Sequence, residues 1–312
     1  MKSLYFLTCL CASLTLVACT PEAPSPETTQ TDEQSYTFTD ALGYDVTVDY
    51  GLDRVVSLYG SYTEVADLAG ATLVGVTDDV KDRYTLSSEN LQVVGSYKAP
   101  NVEAIIALQP DFVILNPNMS EQVELHDTLT SANIPTAFFE VEHFDDYLNL
   151  LDVLTTLTQN ESAYTTYGED VAKDIDAILS QNVVADNPKI LLLRAYSTNV
   201  KARDTENATG RMIDEFNTTN LTELYPSLLE ELSAEVIVKE DPEYIFVTTM
   251  GSNTDAAMEQ LNEMILNNPA YASLTAVKEE RVYILPQDLF HYKPNQRWAE
   301  AYAYLSDLFA QN

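Results

Sequence analysis

Residues 102–115 read Val-Glu-Ala-Ile-Ile-Ala-Leu-Gln-Pro-Asp-Phe-Val-Ile-Leu, and residues 234–247 read Ala-Glu-Val-Ile-Val-Lys-Glu-Asp-Pro-Glu-Tyr-Ile-Phe-Val. Laid together at an offset of 132, the blocks share Glu, Ile and Pro, an acid after the Pro, then an aromatic and aliphatic residues. Asn101 and Ser233 precede them, and both are good N-caps. Each block therefore predicts a short helix, a stop before Pro, and a buried strand. Such units also recur in α/β folds without any duplication, so the pairing gains its force from the rest of the chain.

Working outward, short apolar runs alternate with amphipathic ones. Residues 54–59, 73–76 and 112–115 in the first half, and 190–193, 244–248 and 281–285 in the second, read as buried strands. Residues 63–69 have helical spacing. Continuous apolar strands separated by helices indicate parallel sheet, hence an α/β protein of two lobes of related construction. Between them, Asn160 can cap a helix in which Tyr164, Tyr167, Val171, Ile175, Ile178 and Asn182 recur at three- or four-residue steps. About 20 helical residues span roughly 30 Å, a stiff connector. Asn187-Pro188 ends it. The expected organisation is an N-terminal lobe at 36–159, a connector at 160–183 and a C-terminal lobe at 187–312.

The chain has 312 residues, with 16 Lys and Arg against 49 Asp and Glu, and a formal net charge of -33. That charge excludes nucleic acid, which is held by Lys and Arg. Cysteine occurs only at Cys9, Cys11 and Cys19, so the body has neither disulfide nor thiolate metal site. His126, His143 and His291 are too scattered to form a metal-ligand motif. Residues 1–19 read as an export signal, with Lys2 and then an apolar run. Leu16-Val17-Ala18-Cys19 matches a lipobox, which makes Cys19 the expected lipidation site; a plain secretory signal is the alternative. Residues 20–35 are rich in Pro, acids and Thr and read as a disordered tether.

Residues 55–59, 73–79 (LVGVTDD), 94–97 (VGSY) and 101–115, with the closing LPQD at 285–288 and Arg297-Trp298, resemble class III substrate-binding proteins of bacterial ABC importers. This family collects ferric siderophores, cobalamin and haem, and the likeness spans residues 36–310. The resemblance implies two Rossmann-like lobes joined by a single rigid α-helix, with the ligand in the cleft between them. It also implies that one Glu per lobe docks onto Arg residues of the membrane permease, with a separate ATPase driving transport. The matching residues are Glu103 and Glu235. Read without the resemblance, both are ordinary first-turn acids favoured by the helix dipole.

Ligands of open α/β sheets meet the loops that leave the carboxyl ends of the strands. These loops, at 59–62, 96–98, 116–119, 194–196 and 290–293, are dense in Tyr. Seven of the 16 cations fall in or soon after them: Lys98, Arg194, Lys201, Arg203, Arg211, Lys293 and Arg297. A local positive pocket in so acidic a protein selects an anionic guest, and a ferric siderophore fits that description. The candidate ligand residues are Tyr59, Tyr62, Tyr97, Lys98, Arg194, Tyr196, Arg203, His291, Tyr292 and Arg297. Lys201, Arg211 and Lys293 read as solvated surface, and Arg297 as a brace for the last helix equally well. His291, and more weakly Met119, keep a haem reading open, and cobalamin stays open through the family. No cofactor and no direct metal ligand are expected, and a monomer is.

There is no phosphate-cradling loop, no dinucleotide fingerprint after the first strand, and no nucleophile elbow at Gly60-Ser61. A surface-anchored hydrolase would therefore need its site assembled from scattered residues. The reading is a binder, not an enzyme.

Overall fold

The computed structural model describes residues 34–311 except Asp82, Val183 and Ser252. The export signal, Cys19 and all but the last two residues of the tether lie outside these residues. Ser35, read as tether, already belongs to a strand. Strand β1 (Ser35–Thr39) pairs antiparallel with β2 (Asp45–Asp49). Phe38, Val46 and Val48 point inward while Thr37 and Thr47 hydrogen-bond on the outer face at 2.8 Å, which is the alternation a half-buried hairpin requires.

The first sheet contains β3 (Val55–Ser57), β4 (Leu73–Val76) and β5 (Gln92–Val93). After a small hairpin of β6 (Gly95–Ser96) and β7 (Ala99–Pro100), it is completed by β8 (Phe112–Leu115) and β9 (Thr136–Phe138). Its order is β5-β4-β3-β8-β9, and every pair is parallel. The second sheet is separate and holds β10 (Lys189–Ala195), β11 (Val200–Ala202), β12 (Thr219–Asn220), β13 (Tyr244–Thr249) and β14 (Val282–Ile284). Its order is β11-β10-β13-β14, with β12 also on β10 and only β11 antiparallel. The expected α/β class with parallel sheets is what the chain forms.

Both faces of each sheet are covered. Along β8, Phe112 and Ile114 enter one core while Val113 and Leu115 enter another. Along β10, Ile190 and Leu192 part in the same way from Leu191 and Leu193. One of these cores is shared. It runs from Val55 and Phe112 through the helix Phe144–Thr158 to Trp298, Tyr302, Phe246 and Ile190, so apolar packing joins the two sheets.

The duplicated blocks fold alike. Asn101 Oδ1 accepts from Ala104 N at 3.0 Å, and Ser233 Oγ accepts from Val236 N at 3.4 Å. The helices Val102–Ala107 and Ala234–Glu240 bury Ile105 and Ile237 completely. The residue before each Pro, Gln109 or Asp241, has φ of 47°.

The helical stretch after Asn160 departs from a uniform α-helix. It runs as Glu161–Tyr164, a π-helical turn at Thr165–Glu169, then Asp170–Gln181. The cause is packing: Tyr147 Oη donates to the Tyr167 carbonyl at 2.8 Å, competing for an acceptor the helix would use. Gly168 lets Leu148 and Leu151 close in, each within 3.3 Å of where a Cβ would stand.

Candidate functional site

A buried amide positions the first-sheet loops. Gln122 is fully buried. Its Nε2 donates to the carbonyls of Leu58 (2.8 Å) and Tyr97 (3.0 Å), and its Oε1 accepts from Asn116 N at 2.9 Å. One side chain thus ties together the segment after β3, the β6–β7 hairpin and the segment after β8. Asn116 Nδ2 donates in turn to Tyr62 Oη at 2.9 Å. Such a network is rigid because each of its polar atoms is expensive to leave unpaired in the interior.

The second sheet contributes two guanidinium groups. Arg194, the penultimate residue of β10, donates from Nε to Thr248 Oγ1 at 3.4 Å. Arg203 follows β11 and donates from Nη2 to Tyr196 Oη. Burial and then the neighbouring Arg203 charge hold the Arg194 pKa below its ordinary value. Arg203 Nε is buried without a partner among the described residues. Two like charges this close, with an idle donor, are the inverse of what a core tolerates and suit an incoming anion.

His291 joins this group as a neutral base. Burial first, then the charges of Arg194, Arg83 and Lys293, lower its pKa to about 4, and its Nδ1 has no partner among the described residues. Tyr59 is raised above its ordinary value by burial and then by Glu142, Tyr97 and Asp79. Tyr59 is thus coupled in charge to Tyr97, and Arg194 to Arg203, Tyr196 and His291, while Glu142 and Arg83 act on both sets. Tyr292 lies beside them, with the Arg83 guanidinium 4.0 Å above its ring.

Several expectations need correction. Tyr62, read as ligand-facing, is 1% exposed and belongs to the core. Arg297 is held by Glu300 (2.7 Å) and Asp288 (2.9 Å), so its charge is already neutralised within the chain. Lys293, read as solvated, is largely buried and pairs with Glu142 at 2.9 Å. Lys98 is exposed, 5.5 Å above the Tyr97 ring at the rim. Lys201 is exposed and Arg211 pairs with Glu215 at 3.3 Å, both as read. Met119 precedes the short helix Ser120–Val123 and takes no part in the cationic group.

Arg83 and Glu142 were missed. Both follow carboxyl ends of strands, β4 and β9, so the loop rule finds them once those strands are bounded. Glu142 is fixed by the Asp146 carboxylate, which accepts from Glu142 N at 3.0 Å and His143 N at 2.8 Å. It also borders a cavity of about 470 Å³ lined by Asp40, Glu140, Asp146 and Glu206. Such an acidic lining repels an anion. Among the described residues no cluster of His, Cys, Asp or Glu is arranged to hold a metal ion.

The lobes touch beside this site. Asn295, 1% exposed, donates from Nδ2 to Ser61 O (3.0 Å) and Glu64 Oε2 (2.6 Å). Glu103 and Glu235 lie elsewhere, exposed in the first turns of their helices.

The profile of the family described as "Periplasmic binding protein" matches residues 55–289. The chain belongs to this family. Its members are the substrate-binding components of ABC importers, so the protein is a solute binder and not an enzyme. YhfQ of Bacillus subtilis (strain 168), which carries the name of an ABC transporter substrate-binding lipoprotein, is 24% identical over 304 residues and covers 90% of each chain. The Fe(3+)-citrate-binding protein YfmC of the same organism is 23% identical over 241 residues, covering 75% of this chain and 73% of its own. Among solved structures, the periplasmic catecholate-siderophore binding protein VctP from Vibrio cholerae superposes with a TM-score of 0.68 at 17% identity, covering 89% of this periplasmic binding protein and all of VctP. At that identity the likeness concerns the fold. No helix among the described residues is long and apolar enough to cross a membrane.

Proposed function

We propose that this periplasmic binding protein captures a ferric siderophore outside the cytoplasm and delivers it to the permease of an ABC importer. The observation that carries the ligand class is the Arg194–Arg203 pair, with one buried guanidinium nitrogen unpartnered and three tyrosines close by. Carboxylate or catecholate chelators of Fe(III) carry negative charge at their periphery. Guanidinium forks bind such oxygens through charge-assisted hydrogen bonds, and tyrosine supplies a flat apolar face with a hydroxyl at its edge. The names of YfmC and VctP, an iron(III) citrate binder and a catecholate-siderophore binder, support this class.

In this reading the iron stays in its chelator and Tyr59, Tyr97, Arg194, Tyr196, Arg203 and Tyr292 contact the outside of the complex. Glu103 and Glu235 dock the loaded protein, as a monomer, onto basic groups of the permease, Cys19 carries the lipid anchor, and an ATPase supplies the energy. Closure around the ligand is modest, because the shared core and the Asn295 bridge hold the lobes together.

A second reading has one observation of its own. His291 is neutral with a free ring nitrogen, which suits an axial ligand to haem iron. Calorimetric titration of the purified protein with ferric citrate, a ferric tricatecholate, haem and cobalamin separates the cases. Saturable binding of a ferric chelate with no tyrosinate-to-iron charge-transfer band is expected. Binding of haem alone, with a shifted Soret band, or of cobalamin alone overturns the siderophore reading.

A further inference from the structure

Two of the aliphatic side chains left in solvent stand at equivalent places. Ile106 and Val238 are each 36% exposed. They follow Glu103 and Glu235 by three residues in the duplicated block. Residues three apart on a helix are neighbours, so each helix presents a carboxylate and an aliphatic group on one face. The faces match because the helices do, in cap, buried isoleucine and final φ of 47°. A lone exposed aliphatic residue needs no explanation; the same pair repeated 132 residues later does. Neither Glu enters an ion pair among the described residues.

We infer that Ile106 and Val238 are the apolar halves of two docking pads, seated on apolar side chains that flank the basic groups of the permease. The inference rests on the import reading. An ion pair left open to water is weak and screened by salt. An aliphatic group pressed beside it excludes water and lowers the local dielectric, which strengthens the pair. Charge selects the occupant. On a chain of net charge -33, exposed carboxylates disfavour an anionic lipid surface or a second copy as the covering partner. A basic protein surface with apolar margins fits.

The test places a photo-crosslinking phenylalanine analogue at position 106 or 238 of the full-length protein in the membranes of its own host, with adducts identified by mass spectrometry. A polytopic ABC permease is expected from each site. Serine at the other pad (Ile106→Ser or Val238→Ser) lowers the yield at least about fivefold, as loss of a water-excluding rim does. Both side chains are exposed, so the thermal midpoint should hold; a variant that fails to fold is replaced by threonine at the same site. No adduct, an adduct with lipid or with a second copy, or a yield indifferent to serine overturns the inference. A Glu103→Gln, Glu235→Gln chain separates the two ideas. If it loses the adduct while the serine variants keep it, docking by the carboxylates stands and the apolar pads fall. If neither change matters, both fall.

Discussion

Arg203 shows what a single residue contributes to such a site. Its fork meets Tyr196, faces Arg194, and leaves Nε idle. Removing it relieves repulsion in the empty protein and removes attraction in the loaded one. Arg203→Ala is therefore expected to weaken binding of a ferric tricatecholate by about 1.5–3 kcal/mol, roughly ten- to 150-fold, while the thermal midpoint stays level or rises. Calorimetry and a thermal scan read the two signs separately. His291 governs a pH effect. Its pKa is lowered from 6.5 to about 4, so between those values the unfolded chain holds more protons than the folded one. Stability is then complete above 6.5 and falls as the pH drops toward 4. His291→Asn should flatten that fall by on the order of 1 kcal/mol after screening, measured by denaturant unfolding across the window. Arg194, Arg203 and His291 were legible as residue types near strand ends. The burial that sets two strained arginine charges beside a neutral His291 was not, because it depends on which loops face them.

At the scale of elements, the β6–β7 hairpin carries Tyr97 with the exposed Lys98 over its ring, and its geometry depends on Gly95. That residue has φ of 108°, and a Cβ there would stand 2.5 Å from the Ala99 carbonyl oxygen. Gly95→Ala is expected to cost about 1–3 kcal/mol and to loosen ligand binding through displacement of Tyr97; paired unfolding and titration measurements check both effects. The helix–Pro–strand blocks were readable because capping, the stop before Pro and strand burial are local events, each written in a few adjacent residues. The strand β9 was not read, since three residues of Thr-Ala-Phe carry no periodicity, and with it went Glu142. Gln122 escaped for a different reason: a polar residue in a four-residue helix looks like surface until three loops close over it.

The whole molecule sets the conditions of capture. A cationic site lies inside a protein of net charge -33, so an anionic chelate is repelled at long range and attracted only at contact. The Debye length shrinks from about 30 Å at 0.01 M salt to about 3 Å at 1 M. Added salt should therefore raise the association rate of a ferric tricatecholate at first, by stopped-flow measurement, because repulsion acts over the longer distance. A rate that only falls would mean that the positive loops dominate the approach.

The chain by itself dictated two lobes of α/β construction, since apolar runs, caps and proline stops act between near neighbours. It also dictated the absence of cysteine chemistry in the body and the residue types offered to a ligand. Tertiary packing alone decided the rest. It buried Tyr62, brought Asp288 to Arg297, paired Lys293 with Glu142 and set a π turn in the helical stretch after Asn160. Each of these depends on which distant group arrives within hydrogen-bonding distance, and no local pattern encodes that arrival.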